Sequence, residues 1–185
     1  TNEWYALAKI TGVKTCQAIR KQFNKDYFSL MPTNLYGSFD NFDLNTSHVL
    51  PAMIRKFHEA VQNNHAPVTL WGSGTPMREF LYVDDMADAV VFALENDMPE
   101  YLYNVGTGVD ITIKELAETI KKITGHQGEI IWDATKPDGT PRKLMDVSKM
   151  KDLGWTYKID LEEGIRLTYD WYINNVETAK KVTIK

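Results

Sequence analysis

Tyr5 and Lys9 stand four residues apart at the head of a helical stretch, Tyr5-Ala6-Leu7-Ala8-Lys9. Positions i and i+4 share one face of a helix, so a phenol and an ammonium can approach each other there. An ammonium beside a phenol favours the phenolate and yields an acid–base group suited to near-neutral pH. The bland alternative is an amphipathic helix with Tyr5 at a packing edge and Lys9 in solvent. His48 precedes a second helical pattern; it is either a capping or solvent-facing histidine or an acid–base group, since imidazole titrates near neutrality. Arg78 follows the turn Gly72-Ser73-Gly74-Thr75-Pro76, and its planar fork suits a diphosphate unless it is simply a surface arginine. Trp71 is a stacking face for a base or sugar, or a core aromatic. Asp138 and Lys143 lie in a loop rich in Pro and Gly, the kind of segment that carries binding residues; otherwise they are solvated charges.

The elements that must position these groups follow from periodicity and punctuation. Apolar residues at Leu7, Ile10, Val13 and Ile19 predict a long helix from about Glu3 to Phe23. Tyr27 to Met31 reads as a short buried strand stopped by Pro32, and a polar loop runs from Thr33 to Ser47. A helix is expected from Val49 to Gln62, with Pro51 tolerated in its first turn. Strands follow at Val68–Gly72 and Glu79–Val83. Asp84 is placed to cap a helix reaching Glu95, with Ala87, Val90, Val91 and Leu94 facing inward. Tyr101–Val105 is the next strand. Thr112 and Glu115 form a capping box for a helix to Ile123, closed by Gly125. Gly128–Trp132 reads as a strand, Ser148–Leu153 as a short helix, and Asp160 caps a last helix to about Asn174. Strands alternating with helices make the class α/β.

With 185 residues, 43% hydrophobic and 25% charged, the chain has the composition of a soluble globular protein of one domain or two small ones. A net charge of -4 gives no reason to expect nucleic acid or an anionic membrane as partner. No apolar run reaches spanning length. One cysteine, Cys16, excludes an intrachain disulfide framework and a multi-cysteine zinc site, and suits a reducing, cytoplasmic compartment; no metal is expected. The first residue is Thr1 rather than Met, which reads as a cut chain, a processed form or an isolated domain, and the basic tail over residues 176–185 is expected to be flexible. A Gly-x-Gly-x-x-Gly nucleotide loop is absent, because Gly106-Thr107-Gly108 comes late and lacks the third glycine.

Taken in order, Tyr5-x-x-x-Lys9, Met31-Pro32-Thr33-Asn34-Leu35-Tyr36-Gly37, Ser47-His48-Val49-Leu50-Pro51, Trp71 to Phe80, Val83-Asp84-Asp85-Met86-Ala87, Asn104 to Gly108 and Lys136 to Lys143 closely resemble the C-terminal part of the GDP-L-fucose synthase family. That family falls within the extended short-chain dehydrogenase/reductases. The resemblance runs to about Asn174; the Ser47-His48 segment and the Lys136–Lys143 loop are its narrower signals. It implies the C-terminal part of an NAD(P)-binding Rossmann fold, residues 1–47, joined to a smaller α/β sugar-nucleotide domain. That domain is expected over residues 48–175, with some segments returning to the Rossmann sheet.

The family converts GDP-4-keto-6-deoxy-D-mannose to GDP-L-fucose by two epimerisations and a reduction with NADPH. The resemblance assigns Tyr5 as proton donor to the oxygen at carbon 4 and Lys9 as holder of the nicotinamide ribose. It assigns Pro32, Thr33, Asn34 and Leu35 to the nicotinamide end, and His48 to epimerisation and the cofactor edge. Lys56, Trp71, Arg78, Asp138 and Lys143 would bind the GDP-sugar, Lys56 standing where an arginine is expected. The nucleotide loop, the ribose-phosphate selector and the catalytic serine and cysteine expected before Tyr5 are missing. Cys16 lies about three helical turns beyond Tyr5 and cannot replace that cysteine. The chain alone is therefore expected to lack full activity. In this superfamily the Tyr-x-x-x-Lys helix commonly joins a dimer's four-helix bundle, which predicts a homodimer. Two alternatives remain: a sugar-nucleotide-binding module without catalysis, and another nucleotide-sugar epimerase or dehydratase of the superfamily.

Overall fold

A computed structural model describes residues 3–179. Helix α1 (Glu3–Phe23) leads into strand β1 (Ser29–Pro32), which pairs in parallel with β5 (Leu102–Val105). Strand β2 (Asn34–Tyr36) runs parallel to β4 (Met77–Tyr82), so the segment read as a polar loop from Thr33 contains a strand. Strand β4 continues antiparallel to β6 (Asp110–Thr112) and parallel to β8 (Arg142–Lys143). Those two strands are too short to announce themselves by alternation; the long β4 templates them. A separate parallel pair joins β3 (Val68–Trp71) to β7 (Ile130–Asp133). Two parallel pairs and one mixed sheet, with helices against them, make an α/β protein.

Two hydrophobic cores form. The larger lies among α2 (Val49–Gln62), α4 (Ile113–Thr124) and α6 (Leu161–Asn174), with Ile54, Phe57, Leu116, Ile120, Ile165 and Tyr172 fully buried. The smaller gathers Leu81, Tyr103 and Val105 with Ala89 and Ala93 of α3 (Val83–Glu95) and Met150 of α5 (Ser148–Asp152). The Thr112–Glu115 capping box is formed, and Gly125 closes α4 at φ 73°, a left-handed geometry that glycine adopts without strain. The Asp160 carboxylate accepts from the Glu163 N–H and caps α6 as read from sequence.

The face of α3 differs from expectation. Val90, Val91 and Leu94 point outward, Leu94 being 74% exposed, while Asp85, Ala89 and Ala93 are buried. Asp84 caps nothing: α3 starts at Val83 and has no side-chain cap. Its neighbour Asp85 turns inward, and its carboxylate accepts the N–H groups of Lys158 and Ile159, each at 3.0 Å. The need to satisfy that buried carboxylate and the small Ala89–Ala93 stripe set the rotation of the helix, against the bulkier aliphatics. The expected flexible tail opens with a helical turn, α7 (Val176–Ala179), whose Ala179 is buried in the larger core. The rest of that expectation, residues 180–185, lies outside the described residues. No helix among the described residues is long and apolar enough to cross a membrane.

Candidate functional site

Five elements and one loop open onto a cavity of about 840 Å³. Helix α1 contributes Tyr5, Lys9 and Val13, β1 and β2 contribute Leu30 to Leu35, and the N-terminus of α2 contributes His48 to Pro51. Arg78 and Phe80 of β4 complete the lining, with Asp40 from the β2–α2 loop. The helical spacing of Tyr5 and Lys9 has the expected consequence: the Lys9 Nζ sits 5.4 Å from the Tyr5 ring centroid. Both face a wall of mixed polarity. Thr33 and Asn34 are anchored there by hydrogen bonds from Oγ1 and Nδ2 to the Glu79 carbonyl, at 3.2 and 2.7 Å.

His48 occupies the backbone N-cap position of α2, yet its side chain makes no capping bond. The imidazole is exposed at the cavity wall, so it does not cap α2 and is a solvent-facing ring there. Arg78 is held on β4 with its Nη1 donating to the Met77 carbonyl at 2.6 Å. Across the register it neighbours Lys143 of β8, and a side chain at Gly139 would meet its Nη2 at 2.9 Å. A glycine at 139 therefore lets the loop close over the guanidinium.

The remaining positions named from sequence lie outside this cavity. Trp71 is 70% exposed at the end of β3, with the Lys136 Nζ 5.5 Å from its ring. Lys56 donates to the Thr69 carbonyl at 2.9 Å, and partial burial lowers its pKa. Asp138 is engaged internally: Oδ1 accepts from the Ser73 N–H at 2.9 Å and Oδ2 from the Ser73 Oγ at 2.7 Å. These bonds hold the Asp138 carboxyl below its ordinary pKa and pin the loop to the Gly72–Thr75 turn. The loop's other end is fixed by Arg142, whose Nε and Nη2 fork onto Asp110 at 2.6 and 3.1 Å. Lys143 is exposed beside it.

Two residues escaped the sequence reading. Glu79 is fully buried in β4, and its carboxylate accepts from the N–H groups of Gly108 (2.8 Å) and Met145 (3.1 Å), so one side chain ties three segments together beside Arg78 and Phe80. A carboxylate beside Phe80-Leu81-Tyr82 in a strand was the available signal. Asp40 is half-buried, and burial pushes its carboxyl pKa up, opposed by the Asn41 N–H and the His48 charge. It was hidden in a loop taken for solvent. Among the described residues no cluster of three His, Cys, Asp or Glu is placed to hold a metal ion.

The GDP-L-fucose synthase of Escherichia coli (strain K12) is 54% identical over 184 residues, covering 95% of this chain and 57% of its own length. The GDP-L-fucose synthase 1 of Arabidopsis thaliana is 57% identical over 176 residues, covering 95% of this chain and 54% of its own. A crystal structure of a GDP-L-fucose synthetase from Naegleria fowleri bound to NADP superposes with a TM-score of 0.86 at 31% identity, over 96% of this chain and 57% of that one. The chain thus spans a little over half the length of the relatives it matches. Residues 1–106 match the NAD dependent epimerase/dehydratase family, and with that match across more than half its length the chain belongs to this family.

Proposed function

We propose that this chain supplies the proton-transfer and sugar-nucleotide part of an NADPH-dependent epimerase/reductase that turns GDP-4-keto-6-deoxy-D-mannose into GDP-L-fucose. One observation carries the reading: a single cavity gathers Tyr5, Lys9, Pro32 to Leu35, His48 and Arg78 from α1, β1, β2, the start of α2 and β4. The lining fits the nicotinamide end of a dinucleotide. Lys9 supplies a cation for ribose hydroxyls, Pro32 and Leu35 an apolar floor, and Tyr5 a hydroxyl donor next to the reacting carbon. When bound, NADPH supplies the hydride to the substrate's carbon 4. Tyr5 gives its phenolic proton to the carbonyl oxygen as the bond order falls, and Lys9 compensates the negative charge left on the ring. Epimerisation comes first: the ketone acidifies the neighbouring C–H groups, and His48 takes or returns a proton there, inverting the carbon when the proton comes back on the opposite face. Arg78 anchors the diphosphate through its fork.

Trp71 and the Lys136 that covers it form the guanine end, with Lys56 and Lys143 adding positive charge on either side. Asp138 serves by holding the loop closed through Ser73. The smaller core reads as the Rossmann portion, built where Leu30 and Leu35 of residues 1–47 meet segments between Leu81 and Trp155 that return to it, and the larger core reads as the sugar-nucleotide domain, drawn mainly from residues 48–175. Without a Gly-rich nucleotide loop, the chain by itself is expected to bind GDP and not to turn over NADPH. The exposed Trp4, Leu7 and Ile10 of α1 favour a homodimer through this helix, and the single cysteine favours the cytoplasm.

The deciding experiment uses the complete protein. Tyr5→Phe should lower NADPH oxidation by about 10²- to 10⁴-fold while solvent deuterium still enters the carbons flanking the ketone. Unimpaired NADPH oxidation in that variant overturns the assignment. A second reading, a binding module without catalysis, is favoured by the separation of Trp71, Lys56 and Asp138 from the cavity. Turnover that never appears in the complete protein, with GDP still bound, selects it.

A further inference from the structure

Asp40 and His48 face the same cavity from the two ends of one connecting segment, and that segment is rigid. Asp43 Oδ1 accepts from the N–H groups of Asn45 and Thr46, each at 3.0 Å, and the Ser47 N–H donates to the Asp43 carbonyl at 2.9 Å. Phe42 is fully buried between them, stacked on Trp171 and in contact with Tyr172, at centroid distances of 6.0 and 4.6 Å. The Arg55 Nη1 reaches back from α2 to the Phe42 carbonyl at 3.2 Å. Just before Asp40, Phe39 takes φ 65°, the left-handed region a bulky residue rarely adopts. The loop thus has almost no freedom to let Asp40 and His48 drift apart, and it holds strain where Asp40 turns into the cavity.

The Asp40 carboxyl is also unusual among the loop's acids. Asp43 is held below its ordinary pKa by the backbone and hydroxyl donors around it, whereas Asp40 is held above by burial. Its one hydrogen bond among the described residues comes from the Asn41 N–H at 2.7 Å, so it retains accepting capacity. The other charged or titratable groups lining the cavity are Tyr5 and Lys9 from α1 and Arg78 from β4. The His48 charge acts on this half-buried carboxyl from across the loop, and a carboxylate that accepts from a ring N–H is the group that orients histidines in acid–base sites.

We infer that Asp40 is a positioning residue for His48, accepting the proton-bearing ring nitrogen and so fixing the tautomer and orientation with which the other nitrogen meets the substrate. The inference rests on the assignment of His48 to epimerisation, but the pairing can be tested apart from it. In the complete protein, ¹⁵N-detected long-range spectra of the His48 imidazole report the tautomer directly. Asp40→Asn should mix the two tautomers. It should also slow deuterium entry beside the ketone by about ten- to a hundredfold, with the KM for the nucleotide sugar within about threefold and a changed pH profile. Asp40→Glu should recover part of that rate. Since burial already disfavours the Asp40 charge, Asn at 40 should leave the thermal midpoint nearly unchanged.

Unaltered ring-nitrogen shifts and unaltered exchange in Asp40→Asn overturn the inference. So does an equal loss of exchange, NADPH affinity and thermal stability in both variants, which marks a structural role only. If the tautomer mixes as expected while His48→Gln exchanges deuterium at the normal rate, the pairing holds and the assignment of His48 to epimerisation falls instead.

Discussion

Helices α1 and α2 both line the cavity, and they are held in opposite ways. Helix α2 buries Leu50, Pro51, Met53, Ile54, Phe57 and Ala60 within fourteen residues. Helix α1 is half as long again and buries none; Leu7 is 48% and Ile10 56% exposed. Both show apolar residues at helical spacing, so the pattern says that a helix has an apolar face and not whether the covering surface lies in the same chain. The cavity therefore straddles a firm half, bearing His48, and a lightly held half, bearing Tyr5 and Lys9.

The sharpest way to break this contrast is a pair of truncations. Phe57→Ala should cost about 3–5 kcal/mol, because a fully buried ring among α2, α4 and His126 leaves a cavity that cannot collapse. Leu7→Ala should change stability by no more than about 0.5 kcal/mol, as an exposed site with no buried contact to lose. Urea unfolding of the chain measures both. A Leu7→Ala cost approaching that of Phe57→Ala would mean that α1 is packed in solution, and the contrast would vanish.

What anchors α1 is polar and sits at its far end. The Arg20 Nη2 donates to the carbonyls of Met98 and Pro99 at 2.8 and 3.1 Å, the tail of the loop that follows α3. Arg20→Ala should remove about 1.5–3 kcal/mol of local anchoring, the scale of a charge-assisted hydrogen bond. The effect should appear as faster amide exchange along α1 with α2 and α4 unchanged. Equal acceleration in all three helices would show that α1 unfolds only with the whole molecule.

The same contrast explains what the sequence could reveal. Helices were legible because each signal is local: the Thr112–Glu115 box and Gly125 bound α4, and Asp160 starts α6. Strands β2, β6 and β8 were not, because two or three residues carry no period and exist by pairing with β4. The rotation of α3 was misread for a related reason. Counting aliphatics favoured Val90, Val91 and Leu94, but a buried Asp85 with two backbone N–H donors outweighs them, and those donors come from Lys158 and Ile159, seventy residues on. Of the residues that line the cavity, Tyr5 and Lys9 stood out by spacing, Arg78 by its turn and His48 by the resemblance of its flanking segment. Asp40 did not stand out, because its half-burial depends on how Phe42 pins the loop, a fact of packing.

The smallest expected effect sharpens the firm side of the comparison. His126, in the turn after α4, is 4% exposed, 5.4 Å from the Phe57 ring and 5.7 Å from His65. Burial, then the charges of Lys121 and His65, hold its imidazole below the ordinary value of 6.5, against an opposing contribution from the Glu129 backbone. As the pH falls through about 6.5, the unfolded chain takes up a proton at this position that the folded chain does not yet accept. Stability contributed here is therefore complete above that pH, declines as acid is added, and levels off once the folded imidazole also charges. His126→Gln, which cannot titrate, should flatten part of the loss between about pH 7.5 and 5.5, measured as the change in urea midpoint relative to the parent chain. Because Phe57 and His126 touch, acid should loosen α2 and α4 together while α1, already unburied, shows no added exchange. An unchanged pH slope in His126→Gln would remove this histidine from the account and leave the acid response to residues at the surface.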